Sequence, residues 1–68
     1  MSGASKISIL LWANRRPRKE AEAISSGRTE SKGWQDLLAL GYVRISEAGM
    51  IVVTAAGGDY LAEETFYS

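Results

Sequence analysis

Cysteine and histidine are both missing from this 68-residue sequence. Without cysteine there are no disulfides and no thiolate metal sites; without histidine the commonest zinc ligand and general base are gone. A chain this short buries a limited share of its unfolded surface, so one core supplies a margin of only about 3–5 kcal/mol. Small domains without disulfides or metals can gain stability from a second subunit, which makes a homodimer one expectation. No metal and no cofactor are expected.

Long hydrophobic runs are lacking too. The apolar stretch from Ile7 to Ala13 is interrupted by Ser8 and closed by Asn14-Arg15-Arg16, well short of the ~20 residues that a membrane span needs. The opening residues Met1 to Lys6 form no strong basic leader. With the absence of cysteine, these features lead to an expectation of a soluble, cytoplasmic protein. Catalytic signatures are absent as well. The carboxylates are scattered, and no G-x-S-x-G, phosphate-cradling loop or metal-ligand cluster occurs. The expectation is a protein that is not an enzyme.

Net charge is zero, but the charges are unevenly spread. Up to Gly33 there are Lys6, Arg15, Arg16, Arg18, Lys19, Arg28 and Lys32 against Glu20, Glu22 and Glu30, a balance of +4. From Trp34 onward only Arg44 opposes Asp36, Glu47, Asp59, Glu63 and Glu64, a balance of −4. A basic half joined to an acidic half implies a polarised surface with one face suited to polyanions. Solvated charge that merely clusters is the plainer alternative.

Hydrophobic periodicity divides the chain into five pieces. From Ser5 to Ala13, Ile7, Leu10 and Leu11 fall on one helical face, with Ser5 as a cap; alternation of Ile7, Ile9 and Leu11 also permits a strand, and helix is preferred. Pro17 suits the first turn of a second helix, from Pro17 or Arg18 to Ser25. Ala21 and Ile24 are expected to face inward, and Arg18, Lys19, Glu20 and Glu22 to face water. Gly27 fits a left-handed turn. A third helix should begin near Thr29, Glu30 or Ser31 and end at Gly41, with Trp34, Leu37 and Leu38 as its apolar stripe and Ser31, Lys32, Gln35 and Ala39 opposite. Gly33 inside it costs about 1 kcal/mol relative to alanine.

Tyr42 to Ser46 and Met50 to Thr54 read as a hairpin joined through Glu47-Ala48-Gly49. Val43 and Ile45 should point to one side, where Ile51 and Val53 can match them across the pair. A short last helix from about Asp59 would bring Leu61, with Phe66 beyond it, against the core. One domain spans residues 1–68, with 1–4 and 66–68 as frayed tails.

Three helices, a two-stranded hairpin and a short terminal helix are the layout of winged helix-turn-helix domains. The local wording is similar. Leu37-Leu38-Ala39-Leu40-Gly41-Tyr42-Val43 resembles the join after a recognition helix. Val52-Val53-Thr54-Ala55-Ala56-Gly57-Gly58-Asp59-Tyr60-Leu61 resembles the "V-T-x-x-G-x-x-Y/L" phrase of bacterial and archaeal regulators of the multiple-antibiotic-resistance kind. The resemblance covers roughly residues 5 to 62 and implies an α+β, mainly α, fold. Ala23 and Gly27 keep the family's spacing, whereas Trp34 and Leu37 fall one step later than its pattern. Either the turn carries an extra residue or the motif is degenerate.

The resemblance implies double-stranded DNA as partner, with the helix at about 29–40 in the major groove of a transcriptional regulator's site. Carried over by position, Arg28, Ser31, Lys32 and Gln35 are the base-contact candidates. Arg15, Arg16, Arg18 and Lys19 are phosphate-contact candidates, and Arg44 belongs to the wing. An ordinary solvated helix face is the competing account of Arg28, Lys32 and Gln35. Trp34 is expected in the core, while Trp12 and Tyr60 either pack on each other or line a dimer surface. A second functional class is a protein-interaction adaptor on the same fold, using the acidic wing tip at Glu47 and the terminal helix with Asp59, Glu63 and Glu64.

Overall fold

The computed structural model describes residues 5–66. Residues 1–4 and 67–68, expected as tails, lie outside the described residues, and Phe66 closes a helix. The chain runs α1 (Lys6–Arg15), β1 (Arg18–Lys19), α2 (Glu20–Ser25), a 3₁₀ turn (Arg28–Glu30), α3 (Lys32–Leu40), β2 (Val43–Ile45), β3 (Met50–Val53) and α4 (Ala55–Phe66). It is α+β and mainly helical, with one small antiparallel sheet ordered β1-β3-β2. Among the described residues, no helix is long and apolar enough to cross a membrane.

Helix α1 starts where Ser5 Oγ accepts the Ser8 N–H at 3.2 Å. It buries Ile9, Leu10 and Ala13. Ile9 and Leu10 are fully buried together with Leu37 of α3, each contributing about 1.5–3 kcal/mol of apolar transfer. Trp34, Val43, Ile51 and Leu61 close the core around them.

Arg16, which precedes Pro17, is extended (φ −162°, ψ 165°), as the steric demand of a following proline favours. The chain therefore does not enter a helix at Pro17 or Arg18, as the sequence led us to expect. Arg18 and Lys19 instead pair with Ile51 and Met50 to form a third strand, and α2 begins at Glu20. The Glu20 N–H donates to Gly49 O at 2.8 Å, fastening the start of α2 to the hairpin turn. In that orientation Ala23 is the buried residue of α2, whereas Ala21 is exposed and Ile24 is 57% exposed.

Gly27 takes φ 79° and leads into the 3₁₀ turn. A fresh cap at Ser31 then starts α3, and Gly41 (φ 75°) ends it. The 3₁₀ turn lies between α2 and α3, and Gly33, Trp34 and Leu37 form the buried stripe of α3. Leu38 lies at the margin of that stripe, 44% exposed.

Val43, Ile45, Ile51 and Val53 share a face as expected, and the register places Val43 opposite Val53 and Ile45 opposite Ile51. Gly49 (φ 78°) donates its N–H to Ser46 O at 2.9 Å, and the Ser46 N–H bonds Met50 O at 2.9 Å. A glycine with positive φ at the end of the loop is what three-residue hairpin loops favour.

Helix α4 starts at Ala55, earlier than expected, because Thr54 caps it. The Thr54 Oγ1 accepts the Gly57 N–H at 3.1 Å and donates to Gly41 O at 2.6 Å. Gly57 is buried against the backbone of Tyr42. Leu61 reaches the core, but Phe66 does not and is 81% exposed.

Candidate nucleic-acid interface

Helix α3 turns Lys32, Gln35, Asp36 and Ala39 away from its buried stripe, following the 3.6-residue period. Lys32 is the most exposed of these charges, and its Nζ lies 3.4 Å from Asp36 Oδ1. Ser31 does not share this face. It is 4% exposed, its Oγ accepts the Trp34 N–H at 3.2 Å and donates to Arg28 O at 2.7 Å. Both hydroxyl functions serve the helix start, so Ser31 has none free for the base contact expected of it.

Arg28 stands apart as well. It belongs to the 3₁₀ turn, and its guanidinium carbon lies 4.1 Å from the centre of the Trp12 ring. Together with Arg15 it lines a cleft of about 400 Å³ whose apolar wall is Ile7, Leu11 and Trp12.

Arg18 departs furthest from the sequence reading. It was expected to face water and contact phosphate, yet only 8% of it is exposed. Its Nε donates to Trp12 O at 3.1 Å, and its guanidinium carbon lies 4.7 Å from the Trp12 ring centre. Nη1 approaches Glu22 Oε1 at 3.7 Å. Strand pairing turns Arg18 to the same side as Ile51, so its charge is engaged inside the domain. Trp12 is thus flanked by two arginines, and Tyr60 stacks on Tyr42 (centroids 4.8 Å apart). Among the described residues Trp12 and Tyr60 form no ring pair with each other.

Three further basic residues, Arg16, Lys19 and Arg44, lie on or beside the sheet. Residues opposite one another in a ladder share a face, and faces alternate along each strand. Lys19 opposes Met50 and Arg44 opposes Val52, so Lys19 and Arg44 project from the same outer face on either side of β3. Arg16 is exposed just before β1. Without β1 in view, nothing in the sequence tied Lys19 to Arg44; a two-residue strand is too short to show an alternation.

Glu22 organises the opposite end of this basic segment. Its Oε2 accepts the Lys19 N–H at 3.0 Å. That bond, reinforced by the positive charges of Arg18, Arg16 and Lys19, holds the carboxyl below its ordinary pKa against a weaker opposing effect of burial. A depressed folded-state pKa contributes stability above the unfolded value and loses it as pH falls through the folded value. Glu22→Gln should therefore be less stable than the parent at neutral pH, with the gap closing in acid. Thermal melts of both proteins across the acidic range check this; a gap independent of pH would contradict it.

Comparison with family models, curated proteins and solved structures returned no match.

Proposed function

We propose that this chain is a winged helix-turn-helix DNA-binding domain of the transcriptional-regulator kind, with α3 as its major-groove reader. The observation that carries the reading is the join of three features in one framework. Helix α3 follows α2 through a capped turn, presents a small polar outer face, and continues directly into a hairpin bearing exposed Arg44. The element order supports the same layout. Gln35 suits adenine and Lys32 suits guanine, while Ala39 is small enough to meet a thymine methyl. Arg16, Lys19 and Arg44 are the phosphate contacts, which give affinity without sequence information. The phrase from Val52 to Leu61 has a physical meaning that fits: Thr54 caps α4, Gly57 admits close packing, Tyr60 stacks and Leu61 is buried.

The test is fluorescence anisotropy of duplex DNA titrated with the protein at several salt concentrations. Three phosphate contacts per copy imply a slope of log K against log salt of about −2.7. Lys19→Ala or Arg44→Ala should each weaken binding to every sequence alike and reduce that slope by about 0.9. Gln35→Ala should instead lose about 1–3 kcal/mol of discrimination between a selected site and random duplex. Unchanged slopes in both lysine and arginine variants would overturn the phosphate roles.

A second reading, a protein-interaction adaptor on the same framework, draws support from Asp36 and Glu47. Asp36 neutralises Lys32 on the outer face of α3, and Glu47 occupies the exposed hairpin tip. Both would repel a phosphate backbone. Absence of DNA binding at low salt, where the nonspecific component is strongest, would decide for the adaptor.

A further inference from the structure

The cleft beside Trp12 and the far end of α4 are complementary, and neither is used by the proposed DNA interface. The cleft, lined by Ser5, Ile7, Ser8, Leu11, Trp12, Arg15 and Arg28, combines an apolar wall with two guanidinium groups. Arg15 is exposed, Leu11 is 41% exposed, and Arg28 is held against the Trp12 ring. An arginine already fixed in place loses less side-chain freedom when it meets a carboxylate.

Helix α4 continues for five residues beyond Leu61, the last of its buried residues. Glu64 falls three residues after Leu61 and seven after Gly57, on the stripe where those two are buried. Yet Glu64 is exposed, as is every residue from Ala62 to Phe66. On the opposite face Asp59, Glu63 and Phe66 follow one another at i, i+4 and i+7. Glu63 and Glu64 stand near the C-terminal end of the helix, where the macrodipole disfavours negative charge, and no basic residue occupies that last turn. Cations brought from outside would relieve both charges.

We propose that the acidic end of α4 from one copy of the chain docks in the Arg15–Arg28 cleft of a second copy. Each copy carries both surfaces, so the pairing is reciprocal if a two-fold axis relates them, as in most homodimers. The opposite charges set register, and Ile7, Leu11 and Trp12 supply apolar contact. The choice of a second copy over another protein rests on this charge complementarity within one sequence of zero net charge.

Sedimentation equilibrium of the full chain over a range of concentrations at low salt should show a monomer–dimer equilibrium that weakens as salt rises. Arg15→Glu with Arg28→Glu should raise the dissociation constant about a hundredfold through like-charge opposition, and Glu63→Arg with Glu64→Arg should do the same. Mixing the two variants should restore association, because both contacts of the mixed dimer then pair opposite charges. Arg15→Glu alone, at an exposed α1 position, guards against loss of folding through the Arg28–Trp12 contact, and circular dichroism checks each variant. A chain that stays monomeric, a dimer indifferent to both reversals, or variants that fail to reassociate on mixing would each overturn the proposal. None of these outcomes depends on DNA binding, so the two readings stand or fall separately.

Discussion

Gly57→Ala should lower the unfolding free energy by about 3 kcal/mol, most of the margin expected of a single core this size. The first residues of α4 cross directly over the backbone of Tyr42. A Cβ on Gly57 would overlap the Tyr42 carbonyl oxygen and come within 2.9 Å of its carbon. Backbone cannot rotate aside as a side chain can. The Tyr42 N–H is bonded to Leu37 O at 2.9 Å, and Tyr42 O accepts the Thr54 N–H at 3.0 Å. Relief would require moving α4, which would disturb Leu61 in the core and the stacking of Tyr60 on Tyr42. The neighbouring glycine gives the control. A Cβ on Gly58 meets nothing within 4 Å, and alanine is better than glycine in a helix by about 1 kcal/mol. Gly58→Ala should therefore stabilise the domain slightly. Urea denaturation of the two variants measures the contrast, and equal effects would contradict the close packing of α4 on Tyr42.

Arg18→Ala should cost about 2–3 kcal/mol of stability, far more than Arg16→Ala two residues away. The aliphatic stem and guanidinium of Arg18 fill space beside Trp12, and removing them leaves the Trp12 carbonyl without its side-chain donor. Glu22 loses a partner at the same time. Arg16 is exposed, and replacing it should change stability by less than about 0.5 kcal/mol, as at ordinary surface positions. Chemical denaturation separates the two arginines. Lysine is not a substitute at position 18, because its point charge lacks the planar group that lies over the Trp12 ring. Equal, small effects from both alanine variants would show that Arg18 is an ordinary surface charge after all.

What could be read from the sequence follows from the length of each periodic segment. The hairpin was legible because β-branched residues alternate in β2 and run on through β3, and Gly49 supplies the turn. The end of α3 was legible in Gly41 and its buried stripe in Trp34 and Leu37, while its start was narrowed only to Thr29, Glu30 or Ser31, of which Ser31 is the cap. Strand β1 was not, because two residues carry no period and Arg18 reads as a surface charge until Ile51 is found opposite it. The orientation of α2 was missed for a related reason. Six residues allow several faces, and Ala23 faces the core only because the bonds at Glu20 and Glu22 set the helix against the sheet. The start of α4 was misread at Gly57 and Gly58, which look like a turn; Thr54 makes them helical. In the candidate site, Lys32, Gln35, Lys19 and Arg44 were identifiable by type, but their division between helix and sheet faces required the fold. Arg28 and Ser31 are not on the outer face of α3, because Trp12 and the α3 cap engage them.

The most direct test of the central claim is a two-dimensional amide NMR titration of the protein with a random-sequence DNA duplex at low salt. The largest shifts are expected on Lys32, Gln35 and Ala39 of α3 and on Arg16, Lys19 and Arg44 beside the sheet. They should fade as salt is raised. Shifts absent at low salt, or confined to the hairpin tip at Glu47 and the acidic face of α4, would contradict DNA recognition by this surface.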